Sequence, residues 1–177
     1  MNRLKKGYIH IYTGNGKGKT TAALGLALRA AGSGLKTFIA MFMKDFQYGE
    51  TKSIKHLSDW IRLEQYGNDA FVFRKQHPGK KDLQAARQAL MKTQEAMFSA
   101  EYDIVILDEV CVAIHYALLE TQEVLALLKV KPEPLELILT GRYCPPELIE
   151  KADLVTEMQE IKHYYREDAV ARKGIES

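Results

Sequence analysis

Thr13-Gly14-Asn15-Gly16-Lys17-Gly18-Lys19-Thr20-Thr21 stands between a β-prone run, Tyr8 to Tyr12, and a stretch of helix formers, Lys19 to Ala31. A strand, a glycine-rich loop and a helix in that order make a phosphate cradle. Glycines let consecutive backbone N–H groups turn inward toward phosphate oxygens. The helix that starts after the loop adds its positive end. Lys19 supplies a point charge, and the Thr20 hydroxyl can ligate Mg²⁺. The general pattern is G-x-x-x-x-G-K-[ST]. Gly18, Lys19 and Thr20 fit it, while Thr13 stands where a glycine is usual. The stretch implies a bound nucleoside triphosphate, with MgATP the first candidate.

Outward from the loop, strands and helices alternate. Gly32-Ser33-Gly34 stops the first helix. Lys36 to Met43 reads as a strand, Asp45 to Glu50 as a loop, Thr51 to Ser58 as a short helix and Trp60 to Gln65 as a strand. Gly67-Asn68-Asp69 and His77-Pro78-Gly79 are loop signals within the less regular stretch from Tyr66 to Lys81. A long helix is expected from about Asp82 to Ala100, with Leu83, Ala86, Leu90 and Met97 at helical spacing. Tyr102 to Leu107 has the apolar character of a buried strand. Glu120 to Leu128 reads as a helix, Lys131 to Pro134 as a rigid connector and Leu135 to Leu139 as a strand. Pro146 to Lys151 reads as a short helix and Leu154 to Met158 as a last strand. This alternation predicts an α/β domain with a mostly parallel central sheet and helices on both faces. Residues 1–177 read as a single domain, with a short arm at 1–6 and a C-terminal tail over 160–177 that lies on the surface.

The 177 residues are enough for one domain with a real core. A net charge of +2 gives no global field that calls for nucleic acid or a membrane. No apolar run reaches the roughly 18–20 residues of a membrane span, and the first strand begins too early for a signal peptide. Cys111 and Cys144 are the only cysteines, which is neither a disulfide framework nor zinc-ligand spacing. A reducing cytoplasm is the expected compartment.

The run Ile104-Val105-Ile106-Leu107 ends in Asp108-Glu109. A carboxylate at the end of a buried strand is costly unless it faces a cation or donors. Beside a phosphate loop it can hold Mg²⁺ directly or through water, which makes Asp108 and Glu109 metal-site candidates together with Thr20. The competing reading is a helix N-cap followed by an acidic first turn. This spacing points to a nucleotide and magnesium and leaves the reaction open.

Further segments carry a resemblance. Ala22, Ala23, Gly25 and Arg29 follow the loop, and Thr140-Gly141-Arg142 closes a strand. Asp153 to Met158 leads to Ile161-Lys162-His163, then to Lys173-Gly174-Ile175-Glu176. From Gly7 to near the end, the chain resembles the P-loop ATP:corrinoid adenosyltransferases, also called cob(I)alamin or cob(I)yrinic acid a,c-diamide adenosyltransferases. In that family Thr13 is the usual opening residue of the loop. The resemblance implies a P-loop NTPase-like (RecA-like) fold. It also implies attack by Co(I) on the 5′ carbon of ATP with release of triphosphate.

On this resemblance the loop from Thr13 to Thr21, with Arg142, holds ATP in an orientation reversed relative to other P-loop proteins. Arg29 helps hold the nucleoside. Lys19, Thr20 and Glu109 serve the leaving group, with Mg²⁺ or Mn²⁺ as cofactor. Phe71 and Phe73 occupy the segment whose aromatic residues face the corrin and displace its lower axial ligand, which favours Co(I). Phe46 and Tyr48 are further candidates to line that pocket, and His163 to approach the nucleotide or corrinoid. The implied partners are a reduced corrinoid (cobalamin, cobinamide or cobyrinic acid diamide), a reduced flavoprotein as electron donor, and a second copy of the chain. Two features depart from the family: the arm before Gly7 is short where some members carry a longer helix, and His163 is followed by Tyr164 where proline is usual. Two other functions share the phosphate loop: an ATPase or kinase, and a nucleotide-dependent corrinoid-binding protein without turnover.

Overall fold

Even and odd residues of the central strands face opposite ways, and both faces are apolar. On β2 (Thr37–Phe42), Ile39 and Met41 point to one side and Phe38, Ala40 and Phe42 to the other, all buried. On β4 (Ile104–Asp108), Ile104 and Ile106 oppose Val105 and Leu107 in the same way. Strands of this kind are stable only when helices cover both faces.

A computed structural model describes residues 4–68, 70, 77–164 and 172–175. The remaining strands are β1 (Ile9–Thr13), β3 (Ile61–Tyr66), β5 (Glu136–Thr140) and β6 (Leu154–Glu157). They form one sheet in the order β3-β2-β4-β5-β1-β6, and every pairing is parallel.

One face is covered by α1 (Lys19–Gly32), whose Ala23, Ala27, Ala30 and Ala31 lie against Ile39, Met41, Ile106 and Ile138. Four alanines on one stripe let the helix approach closely. Ile54 of α2 (Gly49–Ile54) and Leu57 of the 3₁₀ turn Lys55–Leu57 extend the same layer. On the other face pack α3 (Lys80–Phe98), α4 (Val110–His115), α5 (Thr121–Lys129) and α6 (Pro146–Ile149).

Most sequence expectations hold to within two residues. α3 begins and ends two residues early, and β4 extends through Asp108. Helix α4 agrees with the alternative that placed a helix start at Asp108-Glu109; the composition of Val110 to Ile114, mostly β-branched or small, gives no helical signal of its own.

Candidate active site

All six strands run in the same direction, so β1, β4 and β5 end on one edge of the sheet, where the phosphate loop, Asp108 and Thr140 meet. β5 lies between β1 and β4, which puts the first and last of these about 10 Å apart. Thr20, one residue into α1, spans that gap: its hydroxyl donates to Asp108 Oδ1 at 2.9 Å. Thr140, at the end of the intervening strand, donates to the same oxygen at 2.8 Å.

The other carboxylate oxygen, Oδ2, receives the Lys44 ammonium at 2.8 Å. Asp108 is 1% exposed, so its charge is met by two hydroxyls and an ammonium rather than by water. Lys44 follows β2, the neighbour of β4, with Met41 in register with Asp108. Burial opposes the Lys44 charge, but Asp108, then Glu109 and Glu50, outweigh it and hold its pKa above the ordinary lysine value.

Glu109 is the N-cap residue of α4 by position, yet its side chain makes no capping bond. Its backbone is left-handed, with φ at 66°. Its N–H donates to Thr140 Oγ1 at 2.9 Å, and its carboxylate faces the cleft. Burial and the neighbouring Asp108 raise the Glu109 pKa, against the pull of Lys44, Lys19 and Arg142. The N-cap alternative therefore describes the position of Glu109 and not the work of its side chain.

The phosphate loop is built differently from the expectation in one respect. The Gly16 N–H donates to the Met158 carbonyl at 2.6 Å, and Met158 N–H donates to Thr13 at 2.9 Å. The chain leaving β6 thus holds the loop from outside, and the Gly16 amide is not turned to phosphate. Gly14 and Gly16 permit this approach, because a Cβ there would lie 2.5 and 2.7 Å from the Met158 oxygen. Gly18, at φ 114°, supplies the left-handed entry to α1.

The Lys19 ammonium donates to the carbonyls of Gly14 and Gly16, each at 2.7 Å. Burial lowers its pKa, partly offset by Glu109 and reinforced by Arg142. An anionic phosphate oxygen is a stronger acceptor than either neutral carbonyl.

These groups border a cleft of about 750 Å³ that takes in the loop from Gly16 to Thr21, with Lys44, Tyr48, Glu109 and Arg142 on its walls. His163, Gly174 and Ile175 close it from the tail, and Lys17 Nζ donates to the Ile175 carbonyl at 3.1 Å. The described part of the tail therefore reaches the cleft. Thr13 is buried, Gly14 half-buried and Asn15 exposed, and none of the three lines the cleft. Arg29 is not brought to the cleft. It lies exposed on the last turn of α1, ten residues after Lys19 and about 15 Å along the axis. Tyr48 lines the cleft, with its ring 5.6 Å from Lys44 Nζ; Phe46 packs on Tyr48 and is 61% exposed. Phe71 and Phe73 lie outside the described residues. A smaller groove of about 490 Å³ along β3, beside Trp60 and Arg62, holds none of the expected site residues.

Sequence reasoning missed Lys44 and the hydroxyl role of Thr140. A lysine two residues past an apolar strand was the available signal for the first. Cys111 and Cys144 are free thiols, and Cys144 Sγ donates to the Pro145 carbonyl at 3.7 Å; the neighbouring Cys144 and burial push Cys111 up, while Cys111 lowers Cys144.

Among solved structures, the flagellar accessory protein FlaH from Methanocaldococcus jannaschii superposes with a TM-score of 0.61 at 15% identity, over 87% of this chain and 72% of that one. This likeness shows the fold alone, a parallel α/β sheet with helices on both faces. By sequence, a corrinoid adenosyltransferase from Sinorhizobium sp is 36% identical, over 97% of this chain and 81% of its own length. The corrinoid adenosyltransferase of Escherichia coli K12 is 32% identical, over 97% of this chain and 86% of its own. The family model for ATP:corrinoid adenosyltransferase BtuR/CobO/CobP matches residues 5–177. The match runs through the phosphate loop, the Asp108–Glu109 strand end and the tail that closes the cleft, and the chain belongs to the ATP:corrinoid adenosyltransferase family.

Proposed function

We propose that the protein transfers the 5′-deoxyadenosyl group of ATP to the Co(I) of a corrinoid, releasing triphosphate, in adenosylcobalamin synthesis or salvage. Family membership supports the reaction. The observation that carries it at the level of residues is the convergence of Lys19, Thr20, Glu109 and Arg142 on one cleft.

The chemistry suits such a cleft. The electron pair on Co(I) forms the bond to C5′, and the C5′–O bond breaks with its pair leaving on the triphosphate. No proton moves, so no general base is required. The residues have to align the two substrates, neutralise the leaving group and exclude water. Lys19 transfers its hydrogen bonds from the Gly14 and Gly16 carbonyls to triphosphate oxygens, and Arg142 approaches from the mouth of the cleft. Phe71 and Phe73 are assigned to the corrin on the family pattern, and Arg29 to the nucleoside on the same ground.

Mg²⁺, or Mn²⁺, fits the oxygen donors present. Among the described residues no group of three or more His, Cys, Asp or Glu could hold a metal alone. Mg²⁺ instead prefers one or two carboxylates with waters and substrate phosphates. Thr20, Asp108 and Glu109 would hold it, Thr20 and Glu109 from the cleft wall and Asp108 through its contact with Thr20. When bound, the metal neutralises part of the triphosphate charge. A homodimer, a reduced flavoprotein as donor and a cytoplasmic setting complete the reading. The free thiols suit a reducing compartment, and no helix among the described residues is long and apolar enough to cross a membrane.

The test is anaerobic incubation with chemically reduced corrinoid and MgATP, following the visible spectrum and the released polyphosphate. Adenosylcorrinoid with intact triphosphate is expected, and Lys19→Ala should abolish it. ADP and phosphate with no corrinoid change would move the protein to the ATPases.

A further inference from the structure

Lys44 carries a largely buried ammonium on the cleft wall, and the proposed reaction gives it no role. Its side chain is 16% exposed, and its charge is matched by Asp108 Oδ2 at 2.8 Å. Asp108 needs little more on its other oxygen, where Thr20 and Thr140 already donate at 2.9 and 2.8 Å. Lys44 and Thr20, the partners of the two Asp108 oxygens, both line the cleft, with the Tyr48 ring beside Lys44.

We propose that Lys44 is a leaving-group residue, passed from Asp108 to the polyphosphate when a divalent cation takes over the aspartate. The inference rests on the cleft binding triphosphate with Mg²⁺. A cation at Thr20 and Asp108 supplies the positive charge that Lys44 now gives Asp108. The largely buried ammonium is then without its counter-charge, which is unfavourable unless another anion replaces it. Glu50 and Glu109 border the same cleft, but Glu109 is itself a candidate ligand of the cation. The group that brings new negative charge there is the triphosphate. Lys44 and Lys19 approach from different elements, the end of β2 and the start of α1. They would hold the leaving group from two sides.

The exchange predicts a metal-dependent role, which a static ion pair does not. Binding of inorganic tripolyphosphate to the full chain is measured by calorimetry, with and without Mg²⁺ and with no corrinoid present. Without metal, Lys44→Met and the parent chain should bind alike. With Mg²⁺, Lys44→Met should bind about tenfold or more weakly, as expected for a lost charged hydrogen bond, while Lys44→Arg retains most of the affinity. Equal affinities with Mg²⁺, accompanied only by a lower melting temperature, would overturn the proposal.

If Lys44→Met does not fold, the parent chain decides the matter through amine acetylation followed by mass spectrometry. Mg²⁺ should raise labelling at Lys44, and added tripolyphosphate should lower it again. Unchanged labelling in both steps refutes the exchange. Because corrinoid is absent throughout, failure here leaves the adenosyl-transfer assay standing, and failure of that assay leaves this result interpretable.

Discussion

Replacing Thr140 by valine keeps the shape of a fully buried side chain and removes one hydroxyl. That hydroxyl donates to Asp108 Oδ1 at 2.8 Å and accepts the Glu109 N–H at 2.9 Å. Leaving a buried amide without its acceptor costs about 1–3 kcal/mol, and a donor lost from a charged carboxylate costs about 1.5–3 kcal/mol. Both bonds pass through one atom and Asp108 keeps Thr20 and Lys44, so the expected loss is about 3 kcal/mol and not the full sum. For a chain of 177 residues, with roughly 2–4 °C per kcal/mol, the melting temperature should fall by about 6–12 °C.

The substitution should also reach the cleft. Glu109 holds a left-handed backbone that costs a non-glycine residue about 1–2 kcal/mol, and the bond to Thr140 helps to keep it there. Nucleotide affinity in Mg²⁺ should therefore fall as well. Thermal unfolding followed by circular dichroism, with ATP titration calorimetry, measures both. Thr140→Ser is the control: it keeps the hydroxyl and loses a methyl group, a cost of about 1 kcal/mol. A valine variant as stable as the parent, or a serine variant less stable than the valine one, would refute the reasoning.

Two other substitutions probe the loop and the sheet edge. Gly16→Ala places a methyl group 2.7 Å from the Met158 oxygen, so the loop or the chain after β6 must move, and MgATP binding should fall at least tenfold in an equilibrium titration while the far-UV spectrum is kept. Glu64 accepts from Tyr66 and pairs with Arg62 at 2.6 Å; burial alone would raise its pKa, but these partners lower it below the ordinary 4.5. The unfolded carboxyl binds its proton first as pH falls, so the stabilisation is complete above about 4.5 and is lost as pH drops through the lower folded value. Urea unfolding across that acid range should show a steeper loss for the parent chain than for Glu64→Gln, and parallel curves would count against the pairing.

The strand-loop-helix unit was legible because its parts are contiguous. A strand, Gly14-Asn15-Gly16-Lys17-Gly18, and then Lys19-Thr20 heading a helix form a local structure whose backbone requirements can be read one residue at a time. Asp108 and Glu109 were legible as carboxylates ending an apolar run, and the alternation of strands and helices determined the layered sheet. Lys44, Thr140 and Met158 were not legible in these roles. Their partners lie 64 residues away for Lys44, 32 for Thr140, and across the β1–β6 pairing for Met158.

What brings them together is the strand order, in which β5 separates the loop strand from the acidic strand and β2 flanks the latter. That order also sends Met158 along the outside of the loop, so that Gly14 and Gly16 serve backbone packing. Local pattern therefore determined the strand-loop-helix unit and the acidic strand end. Only the folded sheet decided which distant hydroxyl and ammonium hold Asp108, because a buried charge takes whichever donors the neighbouring strand ends deliver.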